Sequence, residues 1–181
     1  MRGIDDEADD QTLLARVAGG DMTAMRTLYE RHSEAAHRFV QTRLHDHFEV
    51  ADIVHNTMLD VWRSAGRFQG RSSVRSWILS IARNKTVDHI RKASRTDLAE
   101  PDDTLPDDGP DPESVVAAAQ DAVRVQACIA KLGAAMRTAI HLAFFEDLTY
   151  GEIAQVENVP EGTIKTRIFH AKKLLMRCLS G

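Results

Sequence analysis

The chain has 181 residues, 43% of them hydrophobic, a formal net charge of −4 and a sequence pI of about 6.0. That is enough apolar material for one ordinary domain or two small ones, and the overall acidity alone argues against a nucleic-acid protein. No run approaches the roughly 20 apolar residues of a membrane span, and the acidic start is unlike a signal peptide, so a soluble cytoplasmic protein is expected. The average charge hides segregation. Residues 1–10 hold five acids against one Arg, and residues 97–123 hold nine acids and no base. Residues 62–96 reverse this, with nine Lys or Arg and a single acid, Asp88. Two basic regions are thus preceded and separated by acidic ones.

Residues 1–10 read as a frayed acidic tail. A first helix is predicted over residues 11–18, with Leu13, Leu14 and Val17 at helical spacing and Gly19-Gly20 ending it. Asp21 is placed to cap a second helix reaching to about residue 44, with Met25, Leu28, Tyr29, His32, Ala36, Phe39, Val40 and Leu44 on its apolar face. The third, residues 48–64, has an inner stripe of Val50, Val54, Met58 and Val61, supported by Ile53 and Trp62. Asp52, Asn56, Asp60 and Arg63 form a polar stripe opposite. The Gly- and Ser-containing loop of residues 65–73 carries Phe68 between basic residues. Such an aromatic either stacks on single-stranded bases or plugs the core beneath the loop. Ser72 or Ser73 caps the next helix, residues 74–93, which buries Val74, Trp77, Ile78 and Ile81 and crowds Arg83, Asn84, Lys85, Arg91 and Lys92 into its later half. Asp88 there is placed for helix pairs with Asn84, Arg91 or Lys92.

Residues 97–112 hold four of the five prolines and many Asp, the composition of an extended flexible linker. It divides an N-terminal helical domain, residues 11–96, from a C-terminal one, residues 113–181. Helical patterns resume over residues 113–132 and 136–145. Cys128 and Cys178 each sit in an apolar helical pattern without close spacing, which predicts two buried reduced thiols and no disulfide framework.

Residues 149–178 read as a helix-turn-helix. Thr149 and Glu152 have capping-box spacing, Asn158 suits a left-handed helix exit, and Pro160 presets the start of the second helix. On that helix Ile164, Ile168, Ala171, Leu175 and Cys178 form the inner stripe. Thr166, Phe169, His170, Lys173 and Arg177 fall opposite, flanked by Lys165 and Arg167. Residues 162–181 contain five Lys or Arg and no acid, which favours phosphate contacts through counterion release. A capped helix, a turn and a basic helix in that order point to DNA binding over a merely solvated basic face.

No catalytic constellation accompanies these features. His45, His47 and His55 lie close together without CxxC or HExxH spacing, so no metal or other cofactor is expected. There is no phosphate-binding GxxxxGK[ST] motif, and the carboxylates concentrate in tail and linker; the chain is not read as an enzyme.

Three stretches carry a family resemblance: LYERHSEAAHRFV at residues 28–40, DIVHNTMLDVWRSAGRFQGRSSVRSWILSIARNKTVDHIRK at 52–92, and FFEDLTYGEIAQVENVPEGTIKTRIFHAKKLL at 144–175. The first two resemble region 2, and the third region 4, of the extracytoplasmic-function (ECF) sigma factors of the sigma-70 family. The resemblance implies an all-α protein of two small helical domains, sigma region 2 and sigma region 4, joined by a flexible acidic linker. It implies a factor that binds core RNA polymerase through the β′ clamp helices and β flap and directs it to promoter DNA, under a cognate anti-sigma factor, with no small-molecule substrate and no membrane insertion. On the matching positions, Asp52, His55, Asn56, Asp60 and Arg63 would dock on polymerase. Arg67, Phe68, Arg71, Ser73, Arg83, Asn84, Lys85, Arg91 and Lys92 would read and open the minus-10 element, the loop holding an extruded base. Thr163, Lys165, Thr166, Arg167, Phe169, His170, Lys173 and Arg177 would read the minus-35 element. Four positions depart from the family pattern: His55-Asn56 replaces the common Gln-acid pair, Glu157 takes a usually apolar place, and His170 stands where Arg is frequent. The alternatives are a stand-alone helix-turn-helix regulator, which leaves residues 52–92 unused, and a sigma-like decoy that titrates an anti-sigma factor.

Overall fold

The computed structural model describes residues 8–96 and 116–180, and among these it contains eight α-helices and no strand. Residues 1–7 of the expected tail and the expected linker, 97–112, lie outside the described residues.

Helix α1 (Asp10–Ala18) starts one residue earlier than its apolar pattern, because the Asp9 carboxylate accepts the backbone N–H of Thr12 at 2.7 Å. Asp10 in turn reaches α2 (Met22–Gln41), 2.9 Å from Arg31 and 2.6 Å from His32. Two acids assigned by composition to the frayed tail therefore belong to the domain. Gly20, at φ 90°, supplies the left-handed turn after α1, and Asp21 caps α2 as expected, accepting from Thr23 and Ala24. Helix α2 stops at Gln41, short of the expected residue 44, since Thr42 and Arg43 turn back onto the Phe39 and Val40 carbonyls. Helix α3 (His47–Ser64) runs into a 3-10 turn, Ala65–Arg67. Helix α4 (Val74–Thr96) is capped by Ser73, whose Oγ accepts the Ser76 N–H at 3.2 Å.

The C-terminal helices are α5 (Val116–Ala130), α6 (Ala134–Phe144), α7 (Tyr150–Glu157) and α8 (Glu161–Ser180). Helix α5 packs on α8, where Cys128 and Cys178 form a disulfide with a Cα–Cα distance of 5.9 Å. This corrects the expectation of two separate thiols. Fifty residues of sequence separation conceal that the inner faces of α5 and α8 meet, and at this distance two cysteines can bridge without backbone movement.

Two buried clusters form the interior. The first joins α1 to α4 through Leu13, Leu14, Val17, Leu28, Met58, Val61 and Ile78. The second is continuous across both halves of the chain. Phe39, Val40, Val54, Leu79 and Ala82 from α2, α3 and α4 pack with Leu142, Ile153, Val156, Ile164, Ile168 and Ala171 from α6, α7 and α8. Each buried Phe, Leu, Ile or Val among them is worth roughly 1.5–3 kcal/mol relative to exposure, and the two halves share this core, with α7 lying against α4. Not every predicted inward residue goes in: Tyr29 and Trp62 are exposed on the outer faces of α2 and α3.

Candidate nucleic-acid interface

The helix-turn-helix forms by the local devices its sequence carries. The Thr149 hydroxyl accepts the Glu152 N–H at 3.3 Å, and the Glu152 carboxylate accepts the Thr149 N–H at 3.0 Å, a complete capping box. Asn158 takes the left-handed conformation at φ 53°, and α8 begins directly after Pro160. Burial of Ile164, Ile168 and Ala171 fixes the rotation of α8. Lys165, Thr166, Phe169, His170, Lys173 and Arg177 consequently face outward, Phe169 at 65% exposure. Thr163 and Arg167 are half-buried at the edge of this face. Thr166, Arg167, His170, Lys173 and Arg177 line a common shallow cleft with Met136 and Leu174. Lys165 lies 2.8 Å from Glu161 one turn back, a solvent-exposed pair that phosphate oxygens can displace at little cost.

The structure also brings together residues that the sequence reading kept in two separate sets. Asp60 and Arg63 of α3 line one groove with Arg67, Asn84 and Lys85, and the Lys85 ammonium sits 2.6 Å from Asp60. Asp52 and Asn56 continue it toward Lys85 and Lys92. His55 stays exposed on the outer side of α3. Asp88 pairs with Arg91 at 2.8 Å, one of its expected helix partners, and Arg83 donates to Asn84 at 3.2 Å. Arg67 and Arg71 project from the loop, while Phe68 is half-buried with its ring 5.2 Å from that of Trp77. Of the two readings of Phe68, this arrangement is the plug.

Some residues that shape this region escaped the sequence reading. Glu146, between α6 and α7, has a fully buried carboxylate. It accepts from Arg38 of α2 at 3.0 Å and from Arg75 of α4, and His141 Nε2 lies 3.2 Å away. Burial works against its charge, but hydrogen bonds from His141, Arg38 and Arg75 outweigh that and bring its carboxyl down to about 2. Glu157, 4% exposed, is held by Arg43 of α2 at 2.6 Å, with Arg167 at 3.6 Å. The Glu152 carboxylate accepts, besides its cap, the hydroxyls of Ser73 at 2.8 Å and Ser76 at 3.1 Å. A signal existed for one of these: an acid at position 157, where the pattern is apolar, requires a buried cation from elsewhere.

Among the described residues no group of three or more His, Cys, Asp or Glu is placed to hold a metal ion, and no helix is long and apolar enough to cross a membrane.

The family model of sigma-70 region 2 matches residues 28–96, and that of sigma-70 region 4 matches residues 122–175. Over 173 residues the chain is 30% identical to the ECF RNA polymerase sigma factor SigM of Mycobacterium tuberculosis, covering 96% of this chain and 86% of that one. The chain belongs to the ECF sigma factors of the sigma-70 family. It is 39% identical over 123 residues to the ECF RNA polymerase sigma factor RpoE of Cereibacter sphaeroides, an alignment covering 66% of each. In fold, this sigma factor is similar to CnrH, solved in complex with the cytosolic domain of CnrY, with a TM-score of 0.67, 23% identity and coverage of 94% of this chain and 97% of that one. Region 2 of the sigma factor thus comprises α2 to α4, and region 4 comprises α5 to α8. As an RNA polymerase sigma factor it is a transcription initiation factor and not an enzyme.

Proposed function

We propose that this sigma factor divides promoter recognition between the outer face of α8 and the α3–α4 groove with its loop. Lys165, Thr166, Phe169, His170, Lys173 and Arg177, with Thr163 and Arg167 at the edge, enter the major groove of the minus-35 element, cations on phosphates and the remainder toward base edges. Arg67, Phe68, Arg71 and Ser73 contact the minus-10 element with the α4 residues Arg83, Asn84, Lys85, Arg91 and Lys92. Phe68 leaves Trp77 to stack on an unpaired base once the duplex opens. Asp52, His55, Asn56, Asp60 and Arg63 dock on core polymerase. Residues 11–96 and 113–181 act as the two domains and residues 97–112 as the tether between them, in the cytoplasm. A cognate anti-sigma factor controls the protein; the sigma factor RpoE of Bartonella quintana, similar in fold, is solved in complex with the anti-sigma factor NepR.

The observation that carries this reading is the α8 face: three exposed polar or aromatic residues, Thr166, Phe169 and His170, and three exposed cations, Lys165, Lys173 and Arg177, on a helix whose inner stripe is locked into the core. Run-off transcription with bacterial core polymerase tests it, comparing the wild type with Lys165→Ala/Lys173→Ala on promoter fragments of the source genome. Initiation that requires the protein and weakens about ten-fold or more in the double variant is expected, each lost phosphate contact also lowering the salt slope by roughly 0.9. Tight binding to DNA alone without transcripts would move the assignment to a stand-alone regulator.

A further inference from the structure

The buried carboxylate at the end of α7 meets one cation from each half of the molecule. Glu157, 4% exposed, accepts from Arg43 Nη2 of α2 on both oxygens, at 2.7 and 2.6 Å, and Arg167 Nη1 of α8 approaches Oε2 to 3.6 Å. Arg43 is thus a hydrogen-bond donor from region 2. Arg167 is an ion partner within the helix-turn-helix itself, too distant for a hydrogen bond. We infer that Glu157 is a positioning residue for promoter reading: it orients the Arg167 guanidinium at the edge of the α8 face so that Arg167 reads the base edge of a guanine in the minus-35 element. Arg167 thereby joins the base readers instead of the cations on phosphates; the inference rests on the reading of α8 as the minus-35 helix.

The two edges of the α8 face hold their cations differently. At about 100° per residue, Lys165 and Arg167 flank Thr166 on opposite sides. Lys165 keeps 60% of its side chain exposed and pairs across one turn with Glu161, itself exposed, and water and salt loosen such a pair. Arg167 keeps only 25% exposed. Its carboxylate partner is shut away from solvent, where attraction is screened much less. The backbone beneath that carboxylate is fixed as well. Asn158, the next residue, takes the left-handed conformation at φ 53° and its N–H donates to the Gln155 carbonyl at 3.3 Å, while Ile153 and Val156 anchor α7 in the core and α7 packs on α8. Glu157 is therefore a fixed point against which the Arg167 side chain can be aligned.

Alignment matters because a guanidinium is planar. Its fork matches O6 and N7 of guanine with two N–H groups at once, and it does so only when both point along the groove. With Nη1 turned to Glu157, the edge formed by Nε and Nη2 is the one left for a base. Arg167 lines a cleft with Thr166, His170 and Lys173, so its side chain opens onto the same face as those readers. A lysine at 167 would carry the charge without the fork, as a point charge suited to phosphate. A glutamine at 157 would fill the same space without the charge that holds the fork. These two substitutions separate the proposed role of each residue from mere charge and mere packing.

The test uses the full chain with bacterial core polymerase, in run-off transcription from a promoter that the wild type recognises. Each base pair of the minus-35 element is substituted singly, and each guanine is also replaced by an analogue carrying carbon in place of N7. Wild type, Arg167→Lys and Glu157→Gln are compared. At one guanine the wild type should lose about ten-fold or more on base substitution, and several-fold with the analogue. Arg167→Lys and Glu157→Gln should each flatten that one preference and leave the other positions as they are, and their effects should not multiply in the double variant. A merely structural Glu157 would instead lower transcription alike from every template. An Arg167→Lys that loses evenly across all templates, or a Glu157→Gln that keeps the wild-type guanine preference, overturns the inference. If Glu157→Gln does not fold, as circular dichroism would show, Glu157→Asp, which withdraws the carboxylate by one methylene, takes its place under the same criterion. Wild-type transcription indifferent to every minus-35 substitution would overturn the reading of α8 and this inference with it. A minus-35 preference that neither variant alters at any guanine would leave that reading standing and sink this inference alone.

Discussion

Helices α4 and α8 both carry the basic residues that a DNA reader needs, but they hold them in different states. On α8 the outer cations Lys173 and Arg177 face solvent, and the inner stripe is fixed by a core of its own domain and its neighbours. On α4 the corresponding residues are already committed: Lys85 to Asp60, Arg91 to Asp88, Arg83 to Asn84, and the capping Ser73 to Glu152. Under the proposed assignment, the difference teaches that the duplex-reading face of α8 is presented ready-made, whereas the α4 face proposed to engage melted DNA is held in intramolecular pairs that a partner would have to displace.

The comparison can be broken most severely at the shared interior. Arg43→Ala leaves Glu157 buried without its closest cation, and removal of one partner of such a pair costs roughly 3–5 kcal/mol. A thermal melt should show the loss, and Arg43→Ala/Glu157→Leu should recover most of it. Reducing Cys128–Cys178 is expected to cost up to ~4 kcal/mol in the loop-entropy account for a closed loop of this size. Denaturant unfolding with and without reductant should register it in region 4 and leave the cluster of α1 to α4 unaffected.

Acid should weaken the contact between the halves next. Because the folded pKa of Glu146 is depressed to about 2 from its ordinary 4.5, its contribution is fully present above about pH 4.5 and is lost as pH falls through about 2. Glu152 is lowered in the same direction, burial opposing the hydrogen bonds from Thr149, Ser73 and Ser76 that prevail. Allowing for the half-exposed arginines, the Glu146 contribution is on the order of 2 kcal/mol. Thermal melts between pH 5 and pH 2 in steps of half a unit, with Arg38→Ala/Arg75→Ala as reference, should show the stability of the wild type converging on that of the variant. The smallest effect sharpens the comparison between helices. Lys173→Ala/Arg177→Ala should weaken minus-35 duplex binding by about ten-fold and reduce the salt slope by roughly 2. Arg91→Ala/Lys92→Ala should leave binding to that same duplex unchanged.

Much of this was legible in the sequence because it is local. The capping box at Thr149 and Glu152, the left-handed Asn158, the Ser73 cap and the inner stripe of α8 depend on residues within a turn or two of each other. Helical periodicity then dictates which face is left outward. The polar stripe of α3 and the basic half of α4 were equally visible, though not that they line one groove.

What the sequence by itself determined is therefore the set of helices, the faces they turn inward and the family to which the chain belongs. Only the tertiary structure decided how the two halves meet: the cage of Arg38 and Arg75 around Glu146, the partner that allows Glu157 to be buried, and the bridging of Cys128 to Cys178. The physical reason is separation along the chain. Periodicity and capping report on neighbours a few residues apart, while the Glu146 and Glu157 pairs join residues that are about 70 to 114 positions apart, and nothing in either local pattern specifies which distant partner completes it.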